Sequence, residues 1–316
     1  MHGELEAWLA AASGGDEEFV ERAFRLLVRR APEPDVLARE AARLASGELS
    51  RSALLRDLAG SEEFAAVALL DDAVAHARFG PARPRLLAAP AWSDERAVEI
   101  PWCLARYAGE RRVLDVGYAF AEPAWLAGLL ALGAAELTGV DLAAQAVPGL
   151  RSVVADVRDL PFRDGAFELA YLVSTLEHVG RDNEVYAVDA PREEEGDAAA
   201  LRELRRVLAS DGRLLVSVPT GVADDQGWQI QRPPEEWVER FEAAGFLVYE
   251  DELYVRGEDG WRSATPDEAR EARYGGGPGA GAVLVAELRP RRVGERLRLA
   301  VRDVRHSDEP RRSTLS

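Results

Sequence analysis

The sequence predicts an α/β protein: a Rossmann-like, mostly parallel seven-stranded sheet flanked by helices, preceded by a small all-α domain. Three observations lead there. Apolar residues in 16–64 recur at helical spacing. From about residue 92, short apolar strand runs alternate with helical runs, the order a parallel sheet covered on both faces requires. Asp115, Asp141 and Asp156 then stand at the ends of three successive strand runs, where sheets of this kind bind ligands.

The first helix carries Val20, Phe24, Leu27 and Val28 on one face, and Pro32 and Pro34 end it. A second presents Val36, Leu37, Ala41 and Leu44 and closes at Ser46-Gly47; Ser50 caps a third with Leu54, Leu55 and Leu58. Residues 1–75 are therefore read as a helical accessory domain. Residues 76–91, with Pro81, Pro84 and Pro90, read as a linker. Within 92–288 the strand runs are Arg112–Val116, Leu137–Leu142, Ser152–Asp156, Phe167–Val173, Arg213–Pro219, Phe246–Val255 and Ala282–Leu288. Helical runs separate them: Glu122–Leu132, one holding Leu201, Leu204, Val207 and Leu208, and one opened by Pro234 and stopped by Gly245.

Charge narrows the function classes. The net is −17, from 56 acids against 39 basic residues that are all arginine. Such a body repels phosphate polymers, so nucleic acid is excluded as a partner. Residues 289–316 reverse the sign, with nine Arg against four acids, and Val293, Leu297, Ala300, Val301 and Val304 fall on one helical face. This basic amphipathic tail is expected to contact an anionic membrane or a glycosyltransferase. Glu4 and Glu6 stand where a signal peptide needs bases, and the longest apolar run, Ala124–Ala135, is too short to span a bilayer. A cytoplasmic protein is expected, held at the inner membrane face by its tail. The single Cys103 sits in an apolar stretch and reads as a buried thiol.

The segment Val113–Leu142 outlines a cofactor site. A strand ends at Asp115, a tight turn follows at Gly117, and Asp141, which ends the next strand, can accept hydrogen bonds from both hydroxyls of a ribose. A dinucleotide would need glycine at the positions held by Ala119 and Glu122, and a carboxylate where phosphate rests is electrostatically wrong. It is tolerable for S-adenosylmethionine, which carries a sulfonium and an ammonium and no phosphate.

The motifs "RRVLDVG", "LTGVDL", "VVADVRDLPFRDGAFELAYLVSTLEHVG" and "LRELRRVLASDGRLLVSVPTG" make residues 95–288 resemble a class I S-adenosylmethionine-dependent methyltransferase, of a type found with glycan enzymes. Residues 17–64 resemble a short bacterial helical domain of unknown function that brings no obvious catalytic group, which implies docking. The methyltransferase resemblance implies that Asp115, Gly117 and Tyr118 form the methionine-side loop, that Asp141 holds the ribose, and that Asp156 with Val157 holds the adenine. It departs from the family at Ala119 and Ala121, where glycine is usual. The stretch after the fourth strand would face the sulfonium, making His178 the candidate general base. Glu177, Tyr186 and Trp228 are the candidate acceptor-binding residues, and 184–197 a lid. No carboxylate cluster has convincing metal-ligand spacing, so no metal is assigned. The resemblance implies O-methylation of a sugar or surface-glycan precursor. The competing readings are a degenerate cofactor-binding scaffold and, less well supported, a nicotinamide oxidoreductase.

Overall fold

The computed structural model describes residues 14–79, 89, 92–186, 188, 190–275 and 279–291. Helices α1 (Asp16–Leu27), α2 (Pro34–Ala45) and α3 (Arg51–Ala59) come first. Phe19, Val20, Phe24, Leu27, Leu54 and Leu55 bury against one another as a core of their own. Ser50 caps α3 by accepting the Ala53 N–H at 3.2 Å. The helix α4 (Glu62–Phe79) follows. Its first turn adds Phe64 to that core, while Leu69, Leu70 and Val74 pack into the core of the sheet domain. The expected linker therefore starts too early. Residues 76–79 continue a helix that bridges both cores, because apolar residues recur along it; the prolines of 81–90 lie outside the described residues.

Eight strands form the main sheet, in the order β3-β2-β1-β4-β5-β10-β8-β9. The five parallel ones are β1 (Arg112–Val116), β2 (Glu136–Asp141), β3 (Arg151–Val154), β4 (Phe167–Val173) and β5 (Leu208–Pro219). Strand β10 (Ala282–Pro290) inserts antiparallel between β5 and β8 (Phe246–Gly257), and β9 (Gly260–Ser263) closes the edge. The Rossmann-like fold is as expected, with one strand more than the seven counted. Only Trp261 is a large apolar residue in β9; its ring is buried and its Nε1 donates to the Ser93 carbonyl at 3.0 Å, a partner distant in sequence. Strand β10 also takes up Arg289 and Pro290, first residues of the expected tail, and the rest of that tail lies outside the described residues. A small hairpin pairs β6 (Asp224–Asp225) with β7 (Ile230–Gln231).

Helices α5 (Arg96–Leu104), α6 (Pro123–Ala131), α7 (Gly196–Val207), α8 (Pro234–Ala243) and α9 (Pro266–Arg270) complete the fold. Trp237 and Phe241 of α8 are fully buried, and Gly245 stops the helix region at φ 90°. Below the sheet, α5 and α6 pack with α4 around Trp102, Leu104, Trp125 and Leu129. Gly128 makes this contact close, since a Cβ there would lie 2.5 Å from Leu104 and 3.2 Å from Val74. Strand order reverses at β1: β2 and β3 follow it on one side of the sheet, and β4 and β5 are laid down on the other, all parallel. That switch point opens a crevice at the carboxyl ends of the strands.

Candidate active site

An open cleft occupies the crevice. Of the residues expected at the site, Asp115, Gly117, Asp141, Asp156, Val157, His178 and Tyr186 line it. Gly117 is the residue that makes the first turn fit. Its φ is 89°, and a Cβ would sit 2.5 Å from Thr175 Oγ1 on the facing loop. Ala119 and Ala121 need no glycine: Ala121 is extended at φ −69°, and Ala119 lies in a single 3-10 turn, donating its N–H to Asp141 Oδ2 at 3.0 Å. Asp141 Oδ1 accepts the Ala143 N–H at 3.0 Å, so both carboxylate oxygens are fixed in place.

Asp115 is sealed beneath the cleft, held by Trp125 Nε1 at 3.1 Å. Burial raises its pKa to about 7, against the hydrogen bond from Trp125 and with a contribution from the Asp141 charge. Asp156 lies two residues past the end of β3, in a turn, and is clasped by Arg158, whose Nε stands 2.9 and 3.0 Å from its two oxygens. Burial opposes ionisation there, but the arginine prevails and the Asp156 pKa is lowered. Arg158 reaches on to the Pro191 carbonyl at 3.0 Å and to Glu193 at 2.9 Å, tying the loop after β4 to the strand end. Of that loop, Asn183, Tyr186, Val188 and Ala190 line the cleft.

Three expected residues do not line it. Tyr118 is fully buried behind the turn, because the glycine at Gly139 leaves room for its ring and its hydroxyl donates to the Gln145 carbonyl at 2.8 Å. Glu177 is turned inward, accepting the Ser174 hydroxyl at 2.9 Å. Trp228 stacks behind His178 with ring centroids 5.2 Å apart. The Trp228 carbonyl also faces His178 Nδ1 at 3.0 Å; a carbonyl only accepts, so Nδ1 carries the proton and Nε2 keeps its lone pair. Burial lowers the His178 pKa to about 4, far below the ordinary imidazole value, leaving the ring neutral at physiological pH. Gln231 of the same hairpin donates to the Val222 carbonyl at 2.9 Å, and Arg232, the next residue, to Asp197 at 3.2 Å.

The sequence reading missed Arg96, Phe120 and Ser174, which line the cleft. Arg96 is carried by α5, which has no fixed spacing from the sheet motifs, and pairs with Glu99 at 2.9 Å and Glu95 at 3.3 Å. Phe120 is 54% exposed and packs 5.1 Å from Tyr186. Ser174 adopts φ 45°, a strained conformation for a residue with a side chain, where the chain leaves β4 for the cleft-lining loop. No group of three or more His, Cys, Asp or Glu among the described residues could hold a metal ion. Among the same residues, no helix is long and apolar enough to cross a membrane.

Fold and cleft define a doubly wound α/β protein with an open crevice at its switch point. Residues 114–216 match a family model described as a methyltransferase domain. The match spans 103 of the 316 residues, from within β1 to within β5. No curated protein matches the chain. Among solved structures, the chain is similar to the [4+2]-cyclase SpnF, at 18% identity and TM-score 0.43 over 71% of this chain and 93% of that one. It is also similar to the 1,6-didemethyltoxoflavin-N1-methyltransferase of Burkholderia thailandensis (17%, TM-score 0.40, 83% and 92%). A third similar structure is the PH0226 protein of Pyrococcus horikoshii OT3 (16%, TM-score 0.40, 62% and 90%).

Proposed function

We propose that the protein transfers a methyl group from S-adenosylmethionine to a hydroxyl of a small acceptor, a sugar or glycan precursor being the first class to test. The carrying observation is that one cleft joins Asp115, Gly117 and Asp141 to a neutral His178 whose Nε2 lone pair is left free. The cofactor supplies a methyl group already activated on a positive sulfur. Asp141, with both oxygens anchored by backbone N–H groups, would hold the ribose hydroxyls. Asp115 would meet the methionine ammonium and Arg96 its carboxylate, while Asp156 and Val157 would border the adenine. These acceptors suit a cationic, phosphate-free nucleoside, because ionised acids have the sign its charges require.

His178 would accept the acceptor's proton at Nε2 while its ring stays pinned by Trp228. Tyr186 and the exposed face of Phe120 would flank the acceptor, a pair of rings suited to the apolar face of a sugar. The helices α1 to α3 would act as a docking module beside this enzyme, and the basic segment after Arg291 as its attachment to an anionic surface.

Calorimetry with S-adenosylhomocysteine tests the cofactor reading directly. The parent should bind. Asp141→Ala should bind more weakly by about 1.5–3 kcal/mol for each hydrogen bond lost to the charged group. Absence of binding by the parent would sink the enzyme reading and favour a scaffold. Equal affinity in a folded Asp141→Ala would overturn the ribose assignment. Transfer of labelled methyl to a panel of sugars and other hydroxylated small molecules then identifies the acceptor class.

A further inference from the structure

We propose that Glu177, sealed behind the cleft wall, is a positioning residue whose ionisation sets the proton affinity of His178. The proposal rests on the general-base reading of His178. Both residues lie on one short turn, Leu176–His178, from which His178 enters the cleft and Glu177 turns away from it. Glu177 Oε1 stands 3.8 Å from His178 Nε2 and accepts the Ser174 hydroxyl at 2.9 Å. Its Oε2 is buried with no hydrogen-bond partner, as is Oε1 of Glu99.

Arg96 and Glu99 on α5, with Glu95 just before it, are the charged groups that act with Glu177, and Tyr186 and Tyr274 are further titratable neighbours. Three buried carboxylates, with the half-buried Asp94 as a fourth, thus share one guanidinium. Such an excess of negative charge away from water is relieved only by a proton, and the two carboxylates with unpartnered oxygens are where it can reside. Burial accordingly raises Glu177 to about 7 and Glu99 to about 8.

The consequence for His178 follows from its fixed ring. Nδ1 is committed to the Trp228 carbonyl, so only Nε2 can take a proton. When the acceptor O–H bond breaks, the proton moves to Nε2 and the electron pair stays on oxygen to form the new bond to carbon. The imidazolium produced is opposed by burial and by the Arg96 charge. Within ion-pair reach among the described residues, Glu177 is its counter-ion. A protonated Glu177 offers no compensation; an ionised one does. Proton removal therefore proceeds from the ionised form, and activity rises as pH passes through the Glu177 transition.

Nuclear magnetic resonance of the full chain carrying isotope-labelled histidine tests this without an acceptor. The His178 ring signals, assigned by their loss in His178→Asn, are followed from about pH 5.5 to 9, above the range in which the buried ring itself protonates. The expected result is an inflection near neutral pH that vanishes in Glu177→Gln and moves to lower pH in Glu99→Gln. A flat His178 response in the parent overturns the proposal, as does an inflection that survives Glu177→Gln unchanged. Should Glu177→Gln not fold, the Glu99→Gln displacement decides. S-adenosylhomocysteine binding measured on the same samples separates the two readings. Binding with a flat His178 removes only the coupling, whereas an inflection without binding removes only the methyl-transfer assignment.

Discussion

At the scale of single residues, the groups proposed to hold the cofactor differ from the one proposed to react. Asp141 and Gly117 are locked by backbone geometry, whereas His178 keeps one nitrogen free. His178→Gln should retain S-adenosylhomocysteine affinity, because His178 is not among the cofactor's proposed holders. It should slow single-turnover methyl transfer by about 10²–10⁴-fold, the usual worth of general-base assistance. Near-parental turnover would exclude the base role; lost cofactor affinity would assign His178 to binding instead. The low pKa of about 4 makes His178 a weaker base than an unperturbed imidazole, which places it toward the lower end of that range.

At the scale of elements, the sequence was most readable where one periodicity or one special residue decides the outcome. Gly117, Ser50 and Gly245 act through their own backbone or side chain, and each does as its local pattern predicts. The side chains of Tyr118, Glu177 and Trp228 could not be read that way. Tyr118 and Trp228 are aimed by partners from other parts of the fold, Gly139 and His178, and Glu177 by the Ser174 hydroxyl on its own loop, where Ser174 adopts a positive φ. Arg96 was missed for the same reason, since only the assembled sheet brings α5 to the cleft. The bridging helix α4 shows the limit again, for the proline-rich stretch after it drew the boundary too early. A consequence is testable at Gly128, where α6 meets both Leu104 and Val74. Gly128→Leu should overfill that contact and cost about 1–3 kcal/mol. Hydrogen exchange should then accelerate in α4 and α6 more than in β1 or β4. Unchanged exchange in α4 would mean that the helix is held by its first-turn contacts alone.

Over the whole molecule, the buried acids in and behind the cleft make stability depend on pH in an unusual direction. Asp115 and Glu177 are raised to about 7 and Glu99 to about 8, all by burial, while unfolded carboxylates ionise near pH 4. Between those limits the folded protein keeps protons that the unfolded chain has released, so stability falls as pH rises. His178 acts oppositely. Its lowered pKa contributes stability present above about pH 6.5, lost as pH falls toward about 4. The two effects overlap in mild acid and separate above neutrality, where His178 is uncharged in both states. From about pH 7 to 8.5 the acids alone remain, each worth at most about 1.4 kcal/mol per pH unit while it titrates. Thermal melts across that range should show a midpoint that declines with pH, at salt high enough to screen the acidic surface. Glu177→Gln, which cannot ionise, should make the decline shallower. A midpoint that stays level or rises above neutral pH would show that these carboxylates are already ionised in the folded protein. The cleft would then hold its full negative charge at rest, and Glu177 would stand as a permanent counter-ion beside His178.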